Sequence, residues 1–108
     1  MWYNLYMRFN IDNFQNEIRA LCEQLSVARL DLFGSAMTDE FNDESDLDFV
    51  VDFLPNQSNL LDRFLALQNH LQKIFNRRID LITRKSIRNP YLKASIERTK
   101  KNVFASYS

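Results

Sequence analysis

A chain of 108 residues with 45% apolar side chains and only two prolines can build one domain around one modest core, and its composition argues against extended disorder. Fourteen basic and fourteen acidic residues cancel to a formal net charge of zero, which leaves no overall electrostatic footprint for nucleic acid. Cys22 stands alone, which excludes an internal disulfide and a thiolate metal site, and no apolar run approaches the roughly 18 residues of a membrane span; a reducing cytoplasm is the expected location.

Charge is nevertheless unevenly placed. Eight acidic residues and no Lys or Arg fall between Ala36 and Asp62, whereas seven basic residues face Glu97 alone between Arg84 and Lys101. A metal centre would account for the first block and a phosphate- or partner-facing surface for the second, with plain solvated surface as the alternative for both.

Residues 1–10, with Trp2, Tyr3, Tyr6 and Phe9, read as an aromatic amino-terminal segment that packs on the body or on a partner. They lack the basic front and small-residue cleavage site of a signal peptide. A single domain is expected over 11–108. Apolar residues at Ile11, Phe14, Ile18, Leu21, Cys22 and Leu25 predict a helix over 12–26, with Asp12 and Gln15 as its capped start. The stretch from Val27 to Phe33 then alternates, with Leu30 and Leu32 on one face and Arg29, Asp31 and Phe33 on the other, which predicts a strand ending at Gly34. Gly34 is the only glycine in the chain and marks a point where the backbone turns sharply or approaches a ligand closely. Ser35 can cap a short helix over 36–42, whose free N–H groups make an anion seat; 42–45 reads as a polar turn.

A second strand is predicted from Leu47 to Phe53. Period two places Asp46, Asp48, Val50 and Asp52 on one face and Leu47, Phe49, Val51 and Phe53 on the other. Asp46 and Asp48 then point the same way, about 6–7 Å apart along the strand. The next helix starts at Ser58 or Asn59 and presents Leu60, Phe64, Leu67, Leu71 and Ile74, widened by Leu61, Leu65 and Phe75; His70 falls on its polar side. Residues 77–83 predict a third strand, in which Asp80 is flanked by Ile79, Leu81 and Ile82. A carboxylate in a half-buried strand is costly unless paired or bound to a cation. A salt bridge to Arg78 is one answer, and service as a third metal ligand is the preferred one. Asn89 and Pro90 open a last helix carrying Leu92, Ile96, Thr99 and Val103 on one face, with Glu97 and Lys101 paired one turn apart.

Two features of this order carry chemistry. Gly34-Ser35 is a turn able to grip phosphates, and after ten intervening residues comes Asp46-Leu47-Asp48, with Asp80 on a later strand. Magnesium prefers oxygen ligands and is commonly held by one or two carboxylates together with substrate phosphates. Three aspartates beside a phosphate turn are therefore the parts of a two-metal phosphoryl or nucleotidyl transfer site, which works by positioning and charge stabilisation and needs no nucleophilic Ser or Cys.

On Phe33-Gly34-Ser35 and Ser45-Asp46-Leu47-Asp48-Phe49-Val50-Val51, the chain resembles the minimal nucleotidyltransferases of the DNA polymerase beta superfamily, and more narrowly the MntA-like antitoxins paired with HEPN-domain ribonuclease toxins. The resemblance spans about residues 11–104. It implies an α+β fold, a small mixed sheet with helices packed on it. It also implies that Gly34 and Ser35 contact the triphosphate of ATP, that Asp46 and Asp48 ligate magnesium, and that Asp80 is the third carboxylate, which helps activate the acceptor hydroxyl. Members of this group transfer AMP from ATP to a tyrosine of the toxin. A hetero-oligomer with that toxin is the implied assembly, a homodimer the arrangement without it, and neither nucleic acid nor membrane is an expected partner. Two rival readings stand beside this one: an antitoxin that neutralises by binding alone, and a nucleotidyltransferase acting on a small molecule.

The chain departs from the group at one place. Many relatives carry arginine after the Gly-Ser pair, often as Ser-x-Ala-Arg-Gly, where this chain has Ser35-Ala36-Met37-Thr38-Asp39. Arg84, Lys85 or Arg88 after the third strand are the expected substitutes on charge alone.

Overall fold

The computed structural model describes residues 11–37 and 44–106; the expectations for the aromatic segment 1–10 and for most of the short helix over 36–42 lie outside these. A 3-10 turn, Ile11–Phe14, leads into helix α1, Gln15–Gln24. Strand β1, Val27–Phe33, runs into a second 3-10 turn, Gly34–Met37. Strand β2, Leu47–Phe53, is followed by helix α2, Leu60–Phe75, and strand β3, Ile79–Thr83. A 3-10 turn, Arg84–Ser86, precedes helix α3, Pro90–Thr99, and the last strand, β4, Lys101–Ala105.

The four strands form one sheet in the order β3-β2-β1-β4. β1 pairs antiparallel with β2 and with β4, and β2 pairs parallel with β3 through the crossover helix α2. This is the mixed α+β architecture expected.

One face of the sheet carries the core. Leu30 and Leu32 of β1, Leu47, Phe49 and Val51 of β2, and Ile79 and Leu81 of β3 pack with Ile18, Leu21 and Cys22 of α1 and Leu67, Leu71 and Phe75 of α2. Each large side chain so buried stabilises the fold by roughly 1.5–3 kcal/mol. Phe75 joins the layers: its ring meets Phe14 edge-on at 4.9 Å and stacks near Phe49 at 6.1 Å. The predicted apolar face of α1 is buried as read. That of α2 is narrower, because Leu60, Leu61 and Leu65 are exposed and the buried stripe begins further along. Among the described residues no helix is long and apolar enough to cross a membrane.

Local chemistry explains most element boundaries. Asn89 Oδ1 accepts hydrogen bonds from the N–H groups of Tyr91 and Leu92, with Pro90 at the first helical position, so α3 starts as its sequence implies. α1 starts differently. Gln15 does not close a capping box; its amide reaches the carbonyl of Val103 at 3.4 Å, tying the helix to β4. β4 itself corrects the sequence reading, which extended the last helix through Val103. The chain leaves α3 at Lys100, whose backbone is extended, and pairs with β1. Glu97 accordingly bonds Lys100 and Arg84.

Candidate active site

The other sheet face is the chemical one. β1 pairs Phe33 with Asp48 and β2 pairs Asp48 with Asp80, so these three form a row across the sheet, away from α1 and α2. Beyond Phe33 the chain turns at Gly34, φ +79°, and the turn lies against Asp48. A Cβ on Gly34 would stand 3.1 Å from Asp48 Cγ and 3.3 Å from its Cβ, and closer still to a carboxylate oxygen. The backbone of Ser35 continues this turn. The left-handed region is also used by Ser26, Asn56, Asn59 and Asn76. Asparagine tolerates that backbone; at position 34 the Asp48 carboxylate occupies the space a side chain needs.

Asp46 lies one residue ahead of β2 and gives both oxygens to Arg78, Nε to Oδ1 at 3.1 Å and Nη2 to Oδ2 at 3.2 Å. The hydrogen bond and charge of Asp46 hold the Arg78 guanidinium above its ordinary value. Two further bonds bind the same segments. Arg77 Nη1 donates to the carbonyl of Ser45 at 2.8 Å, and the N–H of Leu47 donates to the carbonyl of Arg78 at 3.0 Å. The salt bridge to Arg78 offered from sequence as the alternative explanation of Asp80 is thus made by Arg78 with Asp46.

Asp80 is exposed. β3 is an edge strand, and this side chain points to the uncovered end of the chemical face, so the burial penalty invoked for it from sequence does not arise. What remains is its register opposite Asp48. Among the described residues no three His, Cys, Asp or Glu side chains converge closely enough to grip a metal ion. The fold brings Asp48 and Asp80 to matching positions and leaves Asp46 beside them on Arg78. As donors, these carboxylates are hard oxygens and suit magnesium, which is satisfied by one or two of them when phosphates and water complete its shell.

Further along the same face lies a charged cluster that sequence reasoning missed. Asp31 in β1 is fully buried. Its carboxylate binds Arg84, Arg29 at 2.9 Å and Asn102 Nδ2 at 2.9 Å. Arg84 also bonds Asp52 at 2.9 Å and Glu97 of α3. Burial alone would lower the Arg84 guanidinium, and the carboxylates of Asp52, Glu97 and Asp31 outweigh it and leave it raised. An acid between Leu30 and Leu32 on a strand was the available signal. The cluster pins α3 to the sheet, and it removes Arg84 from the expected phosphate ligands, since all three of its carboxylate contacts are internal.

Lys85 is also badly placed for that role. It lines a cavity of about 240 Å³ between the carboxyl ends of β2 and β3 and the start of α2, with Phe53, Leu54, Leu60 and Arg63. At a strand rise of about 3.3 Å per residue, Val51, the nearest of its lining residues on β2, stands roughly 10 Å along the strand from Asp48, so the cavity lies beyond the carboxylate row.

A glycine turn thus lies against a strand carboxylate, with a second acid opposite on a parallel strand. The nucleotidyltransferase domain family matches residues 16–102, and the chain belongs to it. It is 42% identical over 79 residues to the putative protein adenylyltransferase MJ1379 of Methanocaldococcus jannaschii, covering 73% of this chain and 79% of that one. Among solved structures it is similar to a putative minimal nucleotidyltransferase, with TM-score 0.70, 23% identity and coverage of 84% and 90% of the two chains. It is also similar to a chain in the structure of a tri-AMPylated Shewanella oneidensis HEPN toxin in complex with MNT antitoxin, with TM-score 0.61, 18% identity and coverage of 89% and 73%.

Proposed function

We propose that this chain is the antitoxin of a HEPN/MNT toxin–antitoxin pair, an ATP- and magnesium-dependent protein adenylyltransferase that transfers AMP to a tyrosine of its HEPN ribonuclease toxin. The observation that carries this reading is the row of Asp48 and Asp80 with Gly34 closed onto Asp48. The similarity to a protein adenylyltransferase and the fold shared with an antitoxin bound to an AMPylated toxin support the acceptor class.

In the proposed reaction the Gly34-Ser35 turn, free of side-chain bulk at Gly34, receives the triphosphate. Asp46 and Asp48 would hold magnesium, which would supply positive charge against the phosphates and the departing pyrophosphate. Asp80, exposed at the sheet edge, accepts the proton of the tyrosine hydroxyl. The phenolic oxygen forms a bond to the α-phosphorus as the bond from that phosphorus to pyrophosphate breaks. Incubation with labelled ATP, magnesium and the cognate toxin is expected to label the toxin, and a variant carrying Asp46→Ala and Asp48→Ala is expected to leave it unlabelled. Equal labelling by both proteins would refute the assignment.

Two observations favour neutralisation by binding alone: Asp46 already has a partner in Arg78, and the chain lacks the arginine that many relatives place after the Gly-Ser turn. Cells expressing the toxin separate the two readings. Rescue by the double-alanine variant as complete as by the parent chain would assign neutralisation to binding.

A further inference from the structure

Arg78 is built into the metal-binding end of the site although neither its position nor its charge marked it as functional in the sequence. Its guanidinium takes both oxygens of Asp46, while the backbone of Arg78 and the side chain of Arg77 hold Leu47 and Ser45 on either side. The loop is therefore secured by Arg77 and by the main chain even when the Arg78 side chain leaves. That side chain is 81% exposed, and among the described residues Asp46 is its one side-chain partner. A carboxylate spanned by a planar fork on both oxygens offers that same edge to no second cation, and a guanidinium fork matches phosphate as well as it matches carboxylate. Two further arginines tied to this face are spent on carboxylates of the fold, Arg84 on Asp31, Asp52 and Glu97 and Arg29 on Asp31.

Resting on the nucleotidyl-transfer reading above, we infer that Arg78 exchanges Asp46 for the phosphates of the nucleotide. It holds Asp46 until that carboxylate turns to a metal, and it then supplies the cation absent from the sequence after Ser35. One arginine would thus act against metal binding and in favour of nucleotide binding.

Arg78→Gln tests this through two affinities that should move in opposite directions. Without nucleotide, manganese binding followed by the electron paramagnetic resonance of the free ion should strengthen by roughly two- to fivefold, the range of an exposed ion pair removed as competitor. In the presence of magnesium, calorimetric binding of the non-hydrolysable analogue AMP-PNP should weaken by about tenfold or more, as expected for loss of a charge-assisted hydrogen bond. A merely structural role for Arg78 would weaken both, and that result, or two unchanged affinities, would overturn the inference while leaving the nucleotidyl-transfer reading intact. Absence of AMP-PNP binding by the parent chain would overturn both.

Discussion

Gly34 places its bare α-carbon against the carboxylate of Asp48, at the point where β1 turns away from the sheet. Gly34→Ala meets two obstacles: a left-handed backbone costing about 1–2 kcal/mol for an L-residue, and a methyl group in the space of the Asp48 carboxylate. Urea denaturation should show a loss of at least that size. AMP-PNP affinity in the presence of magnesium should fall with it, because Asp48 must rotate away. An alanine variant with parental stability and nucleotide affinity would contradict the close approach.

Asp31 and Arg84 set a second constraint, structural in kind. Breaking a buried ion pair from one side usually costs about 3–5 kcal/mol, and Arg84 keeps Asp52 and Glu97 when Asp31 is lost. Asp31→Ala is therefore expected near the lower end, about 3 kcal/mol, read as a shift of the denaturation midpoint at unchanged slope. Removal of the outer contacts to Arg84 and Lys100, by Glu97→Gln, should cost less than about 1 kcal/mol, since Glu97 is 42% exposed.

Glu97 also gives this region a pH dependence. The hydrogen bond from Lys100 lowers its carboxyl below the ordinary 4.5, against a burial effect that raises it, and the charges of Arg84, Lys100 and Arg29 add to the lowering. A carboxyl depressed in the fold contributes stability above its unfolded value and loses it as pH falls through the folded one. The stability difference between the parent chain and Glu97→Gln should accordingly be constant above about pH 5 and shrink below 4.5. A difference that grew on acidification would contradict the pairing.

Cys22 titrates in the opposite range. Burial first, and the Glu23 charge second, push its thiol from 9.0 up to about 12. The folded state thus keeps a neutral thiol where the unfolded chain already ionises, and stability should fall between pH 9 and 12, by at most about 4 kcal/mol. Disulfide-exchange reagents at pH 8 should label Cys22 only as fast as the protein opens.

These expectations separate what a one-dimensional pattern can hold from what it cannot. The α1 stripe and the β2 alternation were legible because helix and strand periods act on neighbours in sequence, and the same period set Asp48 on the chemical face. The lone glycine was legible as a constraint, although not as contact with Asp48. β4 was hidden because Val103 continues the helical spacing from Ile96, with no glycine or proline to end it; pairing with β1 decides the matter. The Asp46–Arg78 bridge joins residues 32 apart, and the Asp31–Arg84 bridge residues 53 apart, each depending on which strands become neighbours. Asp80 was singled out on an argument from burial that its edge position removes, and its register opposite Asp48 comes from the pairing of β2 with β3.

That edge position yields the sharpest test of roles. Asp48 touches the glycine turn and is assigned to the metal, whereas Asp80 stands opposite it in the exposed strand and is assigned to the acceptor hydroxyl. Asp80→Asn keeps the shape of the side chain and removes its capacity to take a proton. AMP transfer to the toxin should fall by about 10²–10⁴-fold, the usual contribution of a general base, with AMP-PNP affinity held within a few-fold of the parent. Asp48→Asn should lower both transfer and AMP-PNP affinity. If Asp80→Asn instead lost nucleotide binding to the same extent as Asp48→Asn, the two acids would share one role at the metal, and the acceptor hydroxyl would need a different base.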